Sequence, residues 1–309
     1  MTYWLSKIFS RLVCLLPHGF AMWLGEIFGS VTWWVIPRKR REMAIGQVVR
    51  CLGVDRSEGE RIARASWERF GPMIMEVMRF PVTVDRMNDF VRIEGAEYLE
   101  EGLKEGKGAV IATSHAGNWE LMGGALCQAG FPIVGVAQKQ KEAGFNRFIN
   151  EYRRLIGMHI TYKTDVREMY KLMGEGKIIG LLSDQDSNIK DGIRFPWFGG
   201  QLTNFVKGPA VLARFRGAPL YPGFITRHPD GTHTIIIHPR VKVEKTADKE
   251  ADIRKAIMDV SAVLEQHIRD HAEEWFWLHN RWKSINEERK PEQIAKDEAE
   301  QAMWREKGL

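Results

Sequence analysis

Gly108-Ala-Val-Ile-Ala-Thr113 runs straight into Ser114-His115-Ala116-Gly117-Asn118-Trp119-Glu120. The first six residues are a short apolar run, the pattern of a buried strand. From Trp119 to Ala129 the apolar spacing turns helical and stops at Gly130. A buried strand handing over to a helix belongs to an α/β sheet, and in such sheets ligands collect at the carboxyl ends of the strands. His115 falls in that turn. Glu120 falls in the first turn of the helix, where a carboxylate also offsets the helix dipole.

The texture continues on both sides. Phe131 to Ala137 reads as a strand, Gly144 to Ile156 as a helix and Lys177 to Ser183 as a second buried strand. Val206 to Phe215 reads as a helix. Leu220 to Thr226 and Thr232 to Val243 are two late strands about a Pro229-Asp230-Gly231 turn, and Ala251 to His271 is a long helix. Strands alternating with helices imply a mainly parallel central sheet flanked by helices. Upstream, Arg40 to Arg50 and Ser57 to Arg79 read as helices. Ser57 stands three residues before Glu60 as in a capping box, Pro72 is placed to kink the second helix, and Pro81 to end it.

The first forty residues hold four of the eleven tryptophans, Trp4, Trp23, Trp33 and Trp34, and then Arg38-Lys39-Arg40-Arg41. Aromatics beside a basic cluster suit a membrane surface with anionic head groups. The other reading is a solvated loop between helices. Leu12 to Ile36 is long enough to span a bilayer, but Pro17-His18-Gly19 interrupts it and Glu26 charges its middle, a costly position. It either spans imperfectly or lies in the interface. If it spans, the basic cluster puts the rest of the chain in the cytoplasm. The expected organisation is a membrane-associated helical segment over 1–37 and a main domain over 38–284, helical over 38–80 and α/β over 91–284. A charged tail follows over 285–309. The balance of 45 basic and 40 acidic residues names no partner. Three scattered cysteines, Cys14, Cys51 and Cys127, form no CxxC pair, which argues against a disulfide framework and a zinc site.

His115 and Glu120 side chains would diverge by about 140° on one continuous helix. Bending at Gly117 lets the carboxylate reach the imidazole, fix its tautomer and stabilise the imidazolium. An HxxxxE spacing alone is weak, since a capping histidine and a first-turn glutamate explain it equally. There is no HExxH pair and no GxSxG elbow.

The run SHAGNWELMG resembles the HxxxxD/E block of the glycerolipid-type acyltransferase superfamily, and more narrowly that of the late acyltransferases of lipid A biosynthesis, the lauroyl and myristoyl transferases. FNRFINEYRRLIGM resembles their Arg-containing block, and GEGKIIGLLSDQDSN their strand ending in acidic residues. GIRFPWFGG resembles their aromatic block. HAEEWFWLHNRWKS resembles their C-terminal block, usually a variant of P-E-Q-Y-x-W-x-H-R-R-[FW]-K, with Asn280 where arginine is usual. The resemblance covers Gly108 to Ser284. It implies acyl transfer from acyl carrier protein to a hydroxyl of a lipid A precursor, at the cytoplasmic side of a cell inner membrane. It implies no cofactor, no metal and no covalent acyl-enzyme. His115 would be the general base and Glu120 its orienting carboxylate.

On that reading Asn118, Arg147, Arg153, Arg154, Asp184, Asp186 and Arg281 are candidate substrate-binding residues, since guanidinium forks match phosphate oxygens and Asp184 and Asp186 end a strand on the edge that carries His115. Phe195, Trp197 and Phe198 are placed for an acyl path or for packing. Aromatics mixed with basic residues over 275–283 also raise nucleic-acid stacking, which the preceding amphipathic helix disfavours. Two alternatives stand: an acyltransferase acting on lysophospholipid or a phosphatidylinositol mannoside, and a non-catalytic peripheral membrane protein. The FPEGTR-like block of phosphatidic acid synthesis is not apparent.

Overall fold

The computed structural model describes residues 1–187, 192–286 and 302–303. Six helices come first: α1 (Thr2–Leu15), α2 (His18–Val35), α3 (Arg38–Leu52), α4 (Arg56–Glu68), α5 (Phe70–Met78) and the short α6 (Phe80–Thr83). The chain then alternates through β1 (Val91–Glu94), α7 (Ala96–Leu103), β2 (Ala109–Thr113), α8 (Trp119–Gln128), β3 (Ile133–Ala137), α9 (Ala143–Leu155), β4 (His159–Tyr162), α10 (Val166–Gly174) and β5 (Ile178–Leu182). A hairpin of β6 (Gly192–Trp197) and β7 (Gln201–Val206) follows, then α11 (Gly208–Arg216), β8 (Leu220–Arg227), β9 (His233–Ile237), α12 (Lys249–Asp270) and α13 (Lys283–Asn286).

Seven strands form one sheet in the order β1-β9-β8-β2-β5-β3-β4, parallel throughout except where β8 returns as β9. The mainly parallel sheet read from the sequence is therefore the sheet observed. Its central strands are mostly apolar because both faces are covered. Val110, Ala112, Val134 and Ile179 join one core with α10, α11 and α12. Ala109, Ile111, Ile133 and Ile178 join the other with α7, α8 and α9.

Three local readings change. The cap of α4 is Asp55, whose side chain accepts from the Glu58 amide, so Ser57 already lies inside the helix. Ser57 to Arg79 is two helices, since Pro72 has no N–H for the Glu68 carbonyl and the chain breaks at Arg69. Phe195, Trp197 and Phe198, left between acyl path and packing, are buried core of the β6–β7 hairpin, each at most 3% exposed.

Among the described residues no single helix is long and apolar enough to cross a membrane. The stretch Leu12 to Ile36 is broken between Leu15 and His18, where Pro17 caps α2, so it is not one span. Instead α1 and α2 each bury one face and expose another. In α1, the Tyr3 hydroxyl and the Lys7 ammonium bond to Glu151 of α9. In α2, Gly25 and Gly29 meet Gly71 of α5 backbone to backbone, and a Cβ at Gly71 would strike the Gly25 carbonyl oxygen. The outward faces carry Trp4, Ile8, Leu12, Trp23, Phe28 and Trp34, all exposed. The charged stretch after residue 286 lies outside the described residues, except for 302–303.

Candidate active site

Strands β2 and β5 are parallel neighbours with Thr113 opposite Leu182, and the Ser183 amide still bonds to the Thr113 carbonyl oxygen beyond the strand end. Two residues past the last rung, this register sets His115 beside Asp184. The His115 ring Nδ1 lies 2.8 Å from Asp184 Oδ1, and the His115 amide donates to Oδ2 at 3.0 Å. A carboxylate accepts, so Nδ1 carries the proton and Nε2 holds the lone pair. No bond to Nε2 is made by any residue among those described. The Trp275 indole N–H is a third donor to this carboxylate, to Oδ2 at 2.8 Å. Burial alone would raise the Asp184 pKa, but the His115 charge and these three donors hold it down at about 2.

The turn around His115 is fixed from the other side by the C-terminal segment. The Phe276 amide donates to the His115 carbonyl oxygen at 3.0 Å, and the Gly117 amide to that of Glu274 at 3.1 Å. Gly117 has φ +60° and packs on the Ile225 carbonyl oxygen, so a side chain there is both strained and blocked. The bend at Gly117 expected from the sequence is present.

It does not bring Glu120 to His115. Glu120 accepts two bonds from the Arg153 guanidinium, from Nε at 2.8 Å and Nη2 at 2.5 Å. In the first turn of α8 its side chain faces α9, while Asp184 already occupies Nδ1. The expectation that Glu120 orients His115 is therefore corrected: Asp184 does so.

Arg153 is spent on Glu120 rather than free for phosphate. Asn118 caps α8, its Oδ1 accepting from the Leu121 amide and its Nδ2 donating to Glu76, so it is not open to substrate. Arg147 lies over the Tyr3 ring at 4.2 Å, and Arg154 is exposed on the same helix, outside the cleft lining. Asp186 accepts from both the amide and hydroxyl of Ser284, each at 2.7 Å, and its own amide donates to His279 Nε2. Arg281 is fully buried, bonds to the Asn204 carbonyl oxygen and lies over the Phe205 ring at 4.4 Å. Burial pulls its pKa down to about 10 against the pull of Asp186. Asp186 and Arg281 are thus internal ties, not substrate ligands.

His115 lines a cleft of about 800 Å³. One wall is apolar, from Phe70, Met73, Val77 and Phe148. The lining also includes the polar loop from Gln138 to Glu142. Behind the Glu120–Arg153 pair a narrow apolar slot of about 80 Å³ runs beneath α8, past Met122, Leu126, Ile133 and Met158. Such a site can hold a base, a polar head and a hydrocarbon chain at once.

The family model described as bacterial lipid A biosynthesis acyltransferase matches residues 1–284. The chain belongs to this family. It is 26% identical over 280 residues to the phosphatidylinositol mannoside acyltransferase of Mycolicibacterium smegmatis, covering 88% of each chain. With the protein of the same name from Mycobacterium tuberculosis it shares 30% over 228 residues, covering 71% of this chain and 69% of that one. The lipid A biosynthesis lauroyltransferase of Escherichia coli is 24% identical over 288 residues, covering 91% and 92%. Membership in the lipid A acyltransferase family makes the protein an acyltransferase.

Within this family member, sequence reasoning missed two contacts. Asp184 was placed on the right sheet edge but assigned to substrate. The two apolar runs end in Ser-His and Ser-Asp, and only the parallel pairing of β2 with β5 brings those last residues together. Trp275 left no signal, because its partner is 91 residues away.

Proposed function

We propose that the protein transfers a fatty acyl chain from acyl carrier protein to a hydroxyl of a lipid A precursor, with His115 as general base. The observation that carries this is the Nδ1–Asp184 bond of a histidine that lines a cleft with both apolar and polar residues. With Nδ1 protonated, Nε2 takes the proton of the acceptor hydroxyl. The oxygen attacks the thioester carbonyl, the tetrahedral intermediate expels the thiolate, and the imidazolium returns its proton to that sulfur. An ester and a free thiol result. Asp184 stabilises the imidazolium between the two steps, and general base help of this kind contributes about 10²–10⁴-fold.

A second acceptor, a phosphatidylinositol mannoside, is favoured by the names of the relatives at 26% and 30% identity. Both acceptors are phosphorylated glycolipids offering a hydroxyl. Incubating the protein with lauroyl-carrier protein and each acceptor separately, with mass spectrometry of the lipids, decides between them. An added acyl group on the glucosamine lipid supports the first reading. Acylation of the mannoside alone overturns it in favour of the second. Acyl-coenzyme A in place of the carrier protein tests the donor.

The exposed apolar faces of α1 and α2, with Arg38 to Arg41 beside them, support attachment to the surface of the inner membrane, on its cytoplasmic side. Trp4, Trp23 and Trp34 are 63%, 51% and 64% exposed. Burying about 100 Å² of each indole in the lipid interface contributes roughly 2.5 kcal/mol. Replacing all three by alanine is expected to weaken binding to anionic vesicles at least a hundredfold in a flotation assay. Unchanged flotation excludes these faces as the attachment surface.

A further inference from the structure

The C-terminal segment after α12 packs over the end of the sheet and reaches the dyad. Gln47 of α3 clamps it, donating to the carbonyl oxygens of Trp277 at 2.8 Å and His279 at 2.9 Å and accepting from the Arg281 amide at 3.0 Å. Ser284 ties it to Asp186. Residue 116 forms an isolated antiparallel bridge with Trp275. Trp275 is 3% exposed, and its indole N–H donates to the Asp184 carboxylate of the His115–Asp184 pair.

That bond is not a generic consequence of burying an indole. The neighbouring indoles of Trp197 and Trp277 donate to backbone carbonyl oxygens, of Ser261 and Ala272. This one is aimed instead at a carboxylate. The torsion that orients a carboxylate is broad. Held by the His115 amide alone, Asp184 could pivot about that bond and carry Oδ1 away from Nδ1. A second donor on Oδ2, from a separate element, fixes the plane.

We propose that Trp275 is a positioning residue for acyl transfer, its indole N–H holding the Asp184 carboxylate in the orientation that receives the His115 Nδ1 proton. The segment 274–284 is therefore part of the active site. This rests on His115 being the base.

The test is Trp275→Phe, which removes the donor and keeps an aromatic ring, and Trp275→Tyr, which restores a donor. Turnover is measured with lauroyl-carrier protein and whichever of the two glycolipids the wild-type protein acylates. Trp275→Phe is expected to lower kcat about tenfold, the rate equivalent of one hydrogen bond to a charged group, with both KM values unchanged. Trp275→Tyr recovers at least half of that loss on a logarithmic scale. In an Asp184→Asn background Trp275→Phe costs less than twofold, because residues acting through one another are not additive.

Wild-type kcat in Trp275→Phe overturns the proposal, as does an equal loss in Phe and Tyr or a full tenfold loss in the Asp184→Asn background. Should Trp275→Phe not fold, the indole N–H resonances decide: one moves in Asp184→Asn, and the absence of any movement overturns the proposal. His115→Ala serves as the control. Inactive His115→Ala beside wild-type Trp275→Phe removes this inference alone, while active His115→Ala removes the base assignment and this inference together.

Discussion

Asp184→Asn lowers acyl transfer by about 10⁴-fold while the protein stays folded. The size follows from which atoms the carboxylate serves. Two N–H donors, the His115 amide and the Trp275 indole, converge on Oδ2. An asparagine must put its oxygen there and its NH2 group towards Nδ1. The imidazole can then only accept at Nδ1, and its proton moves to Nε2. The nitrogen that faces the acceptor hydroxyl no longer has a lone pair. A wrong tautomer at an unchanged geometry costs about four orders of magnitude where a carboxylate orients a catalytic histidine. His115→Ala is expected to lose at least 10²-fold, the ordinary contribution of a general base. Steady-state turnover, with circular dichroism and thermal unfolding as folding controls, measures both. Asp184→Asn within tenfold of wild type would show that the tautomer is set by something else.

The pH dependence of stability has a defined direction. Asp184 has a folded pKa of about 2, below the ordinary carboxylate value. A depressed carboxylate stabilises the folded state above its unfolded pKa, and that contribution is lost as pH falls through the folded one. Asp184→Asn therefore has a flatter acid-unfolding curve between about pH 4 and pH 2, read by tryptophan fluorescence.

Strands β2, β3, β5, β8 and β9 were legible, while β1 and β4 at the sheet edges were not read. A strand covered on both faces is nearly all apolar, as Ala109 to Ala112 and Ile178 to Leu182 are, and the β8–β9 turn announces itself through Pro229-Asp230-Gly231. The hairpin of β6 and β7 was not legible, since its aromatic run matched a family block and could pack in several ways. The candidate base His115 was legible from its place after β2. Its partner was not, because side-chain pairing at the end of a sheet depends on register between strands 69 residues apart. The sequence neighbour Glu120 competed for that role on spacing alone. The candidate phosphate ligands failed for a related reason. Arg153 and Arg281 have the right chemistry for phosphate, and the same fork satisfies internal carboxylates and carbonyls when the fold closes over it.

The largest stability effect is expected from Arg153→Met. Glu120 and Arg153 have side chains only 8% and 15% exposed, at the mouth of an apolar slot. Burial by itself would lower the Arg153 pKa, and the Glu120 carboxylate reverses this and raises it. Removing the arginine leaves a carboxylate with little water and no counter-charge. Breaking a buried pair from one side costs about 3–5 kcal/mol, and the open cleft on one side of Glu120 favours the lower end. At about 2–4 °C per kcal/mol for domains of roughly 150–250 residues, the unfolding midpoint falls by roughly 6–12 °C. Glu120→Gln combined with Arg153→Met removes both charges and should recover most of that loss. The pair also separates the two carboxylates by function. Glu120→Gln is expected to leave turnover within about tenfold of wild type, since Glu120 faces α9 rather than the imidazole. If Glu120→Gln instead abolishes turnover at an unchanged unfolding midpoint, the carboxylate acts on the chemistry. The assignment of Asp184 as the sole partner of His115 would then fall.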